Sequence, residues 1–130
     1  MSGPLTGLKV LDFSALLPGP FATLMLADMG ADVLRVESPS RPDMVRMLPP
    51  MASDGNSAAH GYLNRSKRSI GIDMKSPAGL EVVKRLVAEY DIVVEQFRPG
   101  VMDRLGVGYE ALKAINPKII YVSITGYGQT

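Results

Sequence analysis

The sequence predicts an α/β fold in which a mostly parallel, Rossmann-like sheet carries helices on both faces. Short apolar runs alternate with helical patterns along the chain, as they do in βαβ units. The predicted strands are almost continuously apolar, which is typical of strands covered on both faces. With 130 residues, 46% of them hydrophobic, the chain has the usual size of one domain and can form a core.

Five runs are predicted to be strands: residues 8–13, 32–37, 70–73, 91–95 and 119–124. A first helix is predicted over 21–29, because Pro20 suits a helical first turn and Gly30 suits a helix end. Residues 76–77, Ser-Pro, predict the start of a second helix with the serine as its cap. A third helix is predicted over 109–115.

The predicted second helix has one apolar face, formed by Leu80, Val83, Leu86 and Val87. On its other face, Glu81 and Arg85 stand four residues apart and are expected to pair. The helix is therefore an ordinary amphipathic one.

Residues 38–60 interrupt the alternation of strands and helices. They carry Pro, Ser, Gly and Asn without a sustained period, which predicts a long loop with at most a short helical turn. Long loops at strand ends are often functional, but a mobile surface insertion explains the composition equally well. The only histidine, His60, is expected to be solvated.

Composition excludes several classes of function. The formal net charge is +1, from 14 basic and 13 acidic residues, so no overall field selects a nucleic acid or a membrane surface. The absence of cysteine excludes a thiol nucleophile and a Cys-based zinc site, and the acidic residues are too scattered to predict a metal site. No apolar stretch approaches the roughly 20 residues that span a bilayer. We expect a soluble, cytoplasmic protein.

Basic residues follow two of the predicted strands. Ligands of open α/β sheets bind at the carboxyl ends of the strands, where Lys75, Arg98 and Arg104 are expected. With the N-termini of two helices, these cations could bind phosphate groups. Three side chains near them could hold a flat ring: Ile72, Met74 and Phe97. For Arg98 and Arg104, in the stretch VVEQFRPGVMDRLG (93–106), a loop with solvated charges is the alternative.

NAD is one nucleotide to consider, because Glu37 ends the second predicted strand, where a ribose-binding acid would stand. The glycine pattern argues against it. The fingerprint needs G-x-G-x-x-G, whereas residues 18–20 are Pro-Gly-Pro and Pro20 has no N–H to offer a pyrophosphate. The sequence also lacks a Walker A pattern.

Three stretches carry a family resemblance: LLPGPFATLMLADMGADVLRVE (16–37), LNRSKRSIGIDMKSPAG (63–79) and DIVVEQFRPGVMDRLGVGYEALKAINPKIIYVSITGYGQ (91–129). In this order they resemble the N-terminal part of the class III CoA-transferases. That family includes formyl-CoA transferase, carnitine CoA-transferase and alpha-methylacyl-CoA racemase. The resemblance implies that residues 1–130 are the CoA-binding, Rossmann-like N-terminal domain of a larger interlocked homodimer. Catalytic and second domains are then expected beyond residue 130.

The resemblance also implies coenzyme A as the ligand and gives the residues that contact it: Ile72, Asp73, Met74, Lys75, Gln96, Phe97, Arg98 and Arg104. On this interpretation the fourth strand ends to deliver residues 96–98 to CoA, and residues 99–100 turn the chain so that Arg104 returns. Alternatives stay open. Ile72 and Asp73 could act through backbone groups alone, and Arg104 could pair with Asp103 or Glu110.

Two positions depart from the family's pattern. Many members have an arginine that approaches the adenine or phosphate end of CoA, at the position where this chain has Ser38. The serine cannot make that contact, and Arg35 or Arg41 could substitute for the arginine. Leu17 stands where formyl-CoA transferases have Gln, which argues against oxalate or formate as the acyl partner.

The implied reaction moves CoA between an acyl-CoA and a carboxylate acceptor through an aspartyl mixed anhydride, without a metal. The alternatives are an acyl-CoA racemase, which needs two acid/base groups beside the alpha proton, and a non-catalytic CoA-binding module. Four acids within the chain have no partner that the sequence identifies: Asp12, Asp28, Asp43 and Glu95. We therefore expect no catalytic residue within 1–130 and no turnover by this chain alone.

Overall fold

Five parallel strands form one sheet in the computed structural model, which describes residues 2–130. The strands are β1 (Lys9–Asp12), β2 (Asp32–Glu37), β3 (Arg68–Gly71), β4 (Ile92–Glu95) and β5 (Ile120–Ser123). Their order across the sheet is β3-β2-β1-β4-β5, and every neighbouring pair is parallel. The order reverses between β1 and β4, which is where open α/β sheets bind ligands.

Helices cover both faces of the sheet, as predicted. They are α1 (Pro18–Asp28), α2 (Ala58–Asn64), α3 (Pro77–Val87), α4 (Val101–Arg104) and α5 (Tyr109–Ile115). Successive strand residues point to opposite faces, so Val10 packs with Ala27 on the α1 side while Leu11 packs with Val87 on the other side. The α/β fold class is confirmed.

The bounds of several elements differ from the prediction. Strand β3 covers 68–71 rather than 70–73, and its side chains are half-buried or exposed because it lies at the sheet edge. Helix α1 begins two residues before Pro20, at Pro18. Strand β5 is shorter than predicted, at 120–123.

The 38–60 segment contains more structure than the predicted loop. A 3₁₀ turn spans Met44–Met47, and α2 starts at Ala58, where the Ser57 hydroxyl accepts the N–H of His60. Leu63 is the only buried residue of helix α2. The helix therefore lacks the repeated apolar positions from which a helix is predicted in a sequence. The prediction of at most one helical turn was therefore wrong at the end of this segment.

Helix α3 matches its predicted pattern with one exception. Val83 and Val87 are buried, and Leu80 and Leu86 pack against the same core. Glu81, however, pairs with Lys84 at 3.1 Å rather than with Arg85. Arg85 stays exposed and without an ion pair to residues 2–130.

Candidate functional site

A cavity of about 810 Å³ opens at the carboxyl ends of the strands. Its walls come from the segments that follow β1, β2, β3 and β4: residues 13–16, 35–38, 40–44, 72–75, 97–98, 101 and 105. We call it the first cavity. It lies beside the topological switch point, and its size is usual for a small-molecule site.

A second cavity of about 560 Å³ adjoins the first. It is lined by Pro18 of α1, by residues 96–99, and by residues 124–128 and Thr130 after β5. Phe97 and Arg98 line both cavities. A ligand longer than one cavity could therefore extend past these two side chains from one cavity to the other.

The structure brings seven of the eight predicted contact residues to these cavities. Six line the first cavity: Ile72, Asp73, Met74, Lys75, Phe97 and Arg98. Gln96 lines the second cavity. Arg104 lies outside both, exposed at the end of α4.

Arg104 nevertheless folds back toward the turn that precedes α4. Gly100 has φ of +84°, and a Cβ at that position would meet the Arg104 guanidinium at 3.3 Å. The open alternative of an ion pair with Asp103 or Glu110 is not seen within residues 2–130. The turn thus brings the Arg104 guanidinium against Gly100.

Lys75 and Arg98 are two cations of the first cavity whose charges are free. Both are exposed, and neither side chain makes a hydrogen bond or ion pair within residues 2–130. The backbone holds Lys75 in place, because its N–H donates to Asp73 Oδ1 at 3.0 Å. Charge-assisted hydrogen bonds to phosphate are among the strongest available to such groups.

The helix N-termini contribute fewer donors than the sequence suggested. In α1, Pro18 and Pro20 have no N–H, and the N–H of Gly19 donates to Gln96 Oε1 at 3.1 Å. In α3, the N–H of Gly79 is capped by Ser76 Oγ at 3.0 Å. Anion binding at this edge therefore depends mainly on side chains.

A buried ion pair forms the back wall of the first cavity. The Arg35 guanidinium donates to the Asp43 carboxylate and lies 3.3 Å from Glu37. Asp43 also accepts the N–H groups of Leu16 (3.1 Å) and Val45 (3.0 Å). Both Nη atoms of Arg35 are engaged in this wall, and its Nε is buried without a partner within residues 2–130, so Arg35 is not free to reach a ligand in place of an arginine at position 38.

Arg41 remains as the candidate substitute at the mouth of the first cavity. It is exposed, lines the cavity beside Ser38, and makes no ion pair within residues 2–130. Its N–H donates to Ser38 Oγ at 3.2 Å, which places the two residues in one turn.

Glu37 is occupied by protein partners and is a poor ribose acceptor. Arg46 Nη2 lies 2.6 Å from Glu37 Oε1, and Ser69 Oγ donates to the same oxygen. Burial acts against the charge of Glu37, but the hydrogen bond from Arg46 and the charge of Arg35 outweigh it and lower the pKa. This arrangement adds a structural argument against NAD.

His60 is not a solvated loop residue. It lies on α2, half-buried, with Nε2 3.0 Å from Arg35 Nη1. Because arginine can only donate, Nε2 accepts and the ring is neutral. Burial, followed by the charges of Arg46 and Arg35, lowers the pKa of His60 and favours that state.

The four acids without a sequence-identified partner all have one in the structure. Asp28 pairs with Arg65 at 2.6 Å, Asp43 with Arg35, and Glu95 accepts the Ser123 hydroxyl at 2.6 Å. Asp12 lies 3.6 Å from the buried ammonium of Lys67. Arg35 and Asp43 are eight positions apart, and the other three pairings join residues 28 to 55 positions apart, so no local signal in the sequence predicts them.

The family comparison agrees with this geometry. The model of CoA-transferase family III matches residues 5–130. The chain belongs to this family. The matched range holds both cavities and every candidate contact residue.

Two curated relatives are similar to nearly the whole chain. Succinyl-CoA:glutarate CoA-transferase of Homo sapiens is 45% identical over 98% of the chain, which spans 29% of the relative. Succinate–glutarate CoA-transferase of Agrobacterium fabrum is 46% identical over 98% of the chain, 33% of the relative. The chain thus spans about a third of the length of the curated relatives it matches.

A solved crystal structure has the same fold. The crystal structure of a CAIB/BAIF family protein from Brucella suis superposes with a TM-score of 0.91 at 47% identity, covering 100% of this chain and 35% of that one. Within residues 2–130, no helix is long and apolar enough to cross a membrane. No group of three or more His, Asp and Glu side chains in the same residues could hold a metal ion.

Proposed function

We propose that this chain is the CoA-binding part of a CoA-transferase that moves CoA between carboxylic acids. The observation that carries the proposal is the pairing of free Lys75 and Arg98 charges with apolar Met74 and Phe97 in a strand-end cavity of a family III chain. Lys75 and Arg98 would bind phosphate groups through charge-assisted hydrogen bonds. Met74 and Phe97 would pack against an adenine ring.

The two cavities suggest how the ligand lies. The nucleotide end would occupy the first cavity, with Lys75, Arg98 and Arg41 near its phosphates. Ile72 is 6% exposed and Asp73 is held in a turn, so Ile72 would contact the ring only at its edge and Asp73 would act mainly through its backbone. Arg104, outside the wall, would join as a peripheral contact.

The pantetheine arm would pass Phe97 and Gln96 into the second cavity, which brings the thioester close to the first turn of α1. Pro18 and the glycine-containing segment after β5 border that end. Because a thioester is neutral, walls of mostly uncharged residues suit it better than the basic rim of the first cavity does.

The chemistry itself would be completed by the rest of the protein. An aspartate outside residues 1–130 would attack the thioester carbon, form an acyl–aspartyl anhydride and release CoA as the thiolate. The thiolate would then attack the aspartyl carbonyl of the anhydride, which frees the donor carboxylate and leaves an aspartyl-CoA thioester. The acceptor carboxylate would attack that thioester to give a second anhydride and the CoA thiolate, and attack of the thiolate on the acceptor's acyl carbon gives the new acyl-CoA and frees the aspartate. A homodimer with a cytoplasmic location stays part of this proposal.

Dicarboxylic acids are the substrate class that we propose. The names of both quoted relatives contain glutarate together with succinyl-CoA or succinate, all of them dicarboxylic acids or their thioester. An assay of the complete protein with succinyl-CoA and a panel of mono- and dicarboxylates tests this directly. Transfer only to monocarboxylates would contradict the substrate class, and no transfer with exchange of the alpha proton would favour the racemase.

The same assay separates the chain from the complete protein. We expect residues 1–130 alone to bind CoA but to show no transfer, because enzymes that lose a catalytic nucleophile commonly lose several orders of magnitude in rate. Turnover by this chain near the rate of the complete protein would place the nucleophile within residues 1–130.

A further inference from the structure

A polar cluster without solvent access lies under the first turn of α1. The Asp12 and Thr23 side chains are fully buried, and the Lys67 side chain is 1% exposed. None of the three lines either cavity. The proposed function therefore leaves a buried lysine and a buried aspartate without a role.

Lys67 connects the first turn of α1 to α2 and to β1. Its Nζ donates to the Pro20 carbonyl at 2.8 Å and to Thr23 Oγ1 at 2.8 Å. The third acceptor is Asn64 Oδ1, at the end of α2, at 3.3 Å. An ammonium has three protons, so these acceptors use its full capacity, while Asp12 Oδ2 at 3.6 Å balances its charge.

Asp12 connects Thr23 of α1 to Ser14, which lies in the segment between β1 and α1. Its Oδ2 accepts the Thr23 hydroxyl, and its Oδ1 accepts both the N–H (2.8 Å) and the hydroxyl of Ser14. Ser14 is thereby held against Gly19, where an added Cβ would lie 2.2 Å from the Ser14 Cβ. The turn has no free space on this side.

The turn ends at the wall of the second cavity. The N–H of Gly19 donates to Gln96 Oε1 at 3.1 Å, and Pro18 and Gln96 both line that cavity. A displacement of the turn would move Pro18 directly and Gln96 through its hydrogen bond. By contrast, Lys75 and Arg98 stand on the segments after β3 and β4 and have no bond to the turn.

We propose that Lys67 is a positioning residue for the second cavity: it holds the first turn of α1 against Gln96 and so sets the affinity for the pantetheine arm of coenzyme A without touching it. The proposal rests on the proposed CoA-binding function. It requires that the two ends of CoA respond differently when Lys67 is changed.

The test compares coenzyme A with adenosine 3′,5′-bisphosphate, which lacks the pantetheine arm, by calorimetric titration of the complete protein. Lys67→Met should weaken coenzyme A binding about tenfold, the effect of about one lost hydrogen bond. Its affinity for the bisphosphate should stay within about twofold. Lys118→Met, at an exposed lysine just before β5 that lines neither cavity, is the matched control and should change neither affinity.

A second variant covers the case in which Lys67→Met does not fold. Thr23→Val removes a link between the lysine and the turn while leaving no charge unpaired, and should show the same split. Equal losses for both ligands, or no loss for either, would show that the cluster is only structural and overturn the proposal. Failure of the unaltered protein to bind coenzyme A would instead refute the proposed function, and with it this inference.

Discussion

The Arg35 guanidinium and the Asp43 carboxylate form a buried ion pair that fastens the 38–48 segment to β2. Each side chain is 2% exposed. Through the N–H of Leu16, Asp43 also fastens this segment to the chain after β1. One aspartate thus holds together two walls of the first cavity.

Asp43→Ala should strongly destabilise the protein. The change leaves the Arg35 charge buried with fewer partners and removes the acceptor for two backbone N–H groups. Breaking a buried pair in this way typically costs about 3–5 kcal/mol. Urea unfolding followed by circular dichroism would measure the loss.

Two further variants identify the cause of that loss. Asp43→Asn keeps an acceptor oxygen but no charge, so its cost should lie between those of the unaltered protein and Asp43→Ala. Glu89→Ala, at an exposed acid that has no ion pair among residues 2–130, should change stability by less than about 0.5 kcal/mol. A loss for Asp43→Ala as small as that of Glu89→Ala would contradict the importance of the ion pair.

Arg98→Ala should weaken coenzyme A binding roughly ten- to a hundredfold. Arg98 is exposed at the junction of both cavities, and a hydrogen bond to a charged group is worth about 1.5–3 kcal/mol. Arg85→Ala removes the same charge from an exposed site on α3 and is the matched control. Equal affinities of the two variants would show that Arg98 does not bind the ligand.

The strands and the strand-end residues were predictable because their signals are local. Val10 and Leu11 are adjacent apolar residues that are buried on opposite faces of the sheet. Ser76 caps the N-terminus of α3, and the Ser-Pro pair predicts the start of that helix. In a parallel sheet the carboxyl ends of the strands lie along one edge, so the residues that follow the strands are expected at the same edge. Lys75 and Phe97 could therefore be predicted to lie near one ligand site.

The state of each charge was not predictable, because it depends on contacts between distant residues. Arg35 and Arg98 look equivalent in the sequence, yet Arg35 is 1% exposed and paired while Arg98 is exposed and free. Lys67 pairs with Asp12 across 55 positions, and His60 reaches Arg35 from α2, whose sequence has no apolar period. Only the packed chain separates the cations available to a ligand from those that support the fold.

Gly19→Ala and Gly61→Ala should have opposite effects on stability. A Cβ at position 19 would lie 2.6 Å from Gln96 Oε1 as well as touching Ser14, and such overpacking typically costs about 1–3 kcal/mol. At position 61, inside α2, a Cβ meets nothing within 4 Å, so the alanine should gain about 0.5–1 kcal/mol of helix propensity. Thermal unfolding of both variants would check this, and a destabilised Gly61→Ala would show that α2 is not formed as described.

Stability should rise with pH above about pH 8 through the titration of Lys67. Burial lowers the pKa of Lys67 from 10.5 to about 8; Asp12 opposes the shift and Arg35 adds to it. The pKa of this group is thus lower in the folded chain than in the unfolded one. At a pH between about 8 and 10.5, Lys67 is protonated to a greater extent in the unfolded chain than in the folded one. The free energy of unfolding therefore increases with pH over this range, by at most about 1.4 kcal/mol per pH unit.

The measurement is the difference in unfolding free energy between the unaltered protein and Lys67→Met, from about pH 7 to 9.5. Titrations of groups remote from Lys67 cancel in the difference, and Tyr121, whose pKa burial raises, loses its proton only above this range. The difference should be constant below pH 8 and then shift in favour of the unaltered protein. A difference that stays constant throughout, or that shifts toward the variant, would mean that the pKa of Lys67 is not lowered, and that its ammonium is better compensated by Asp12 than burial alone would allow.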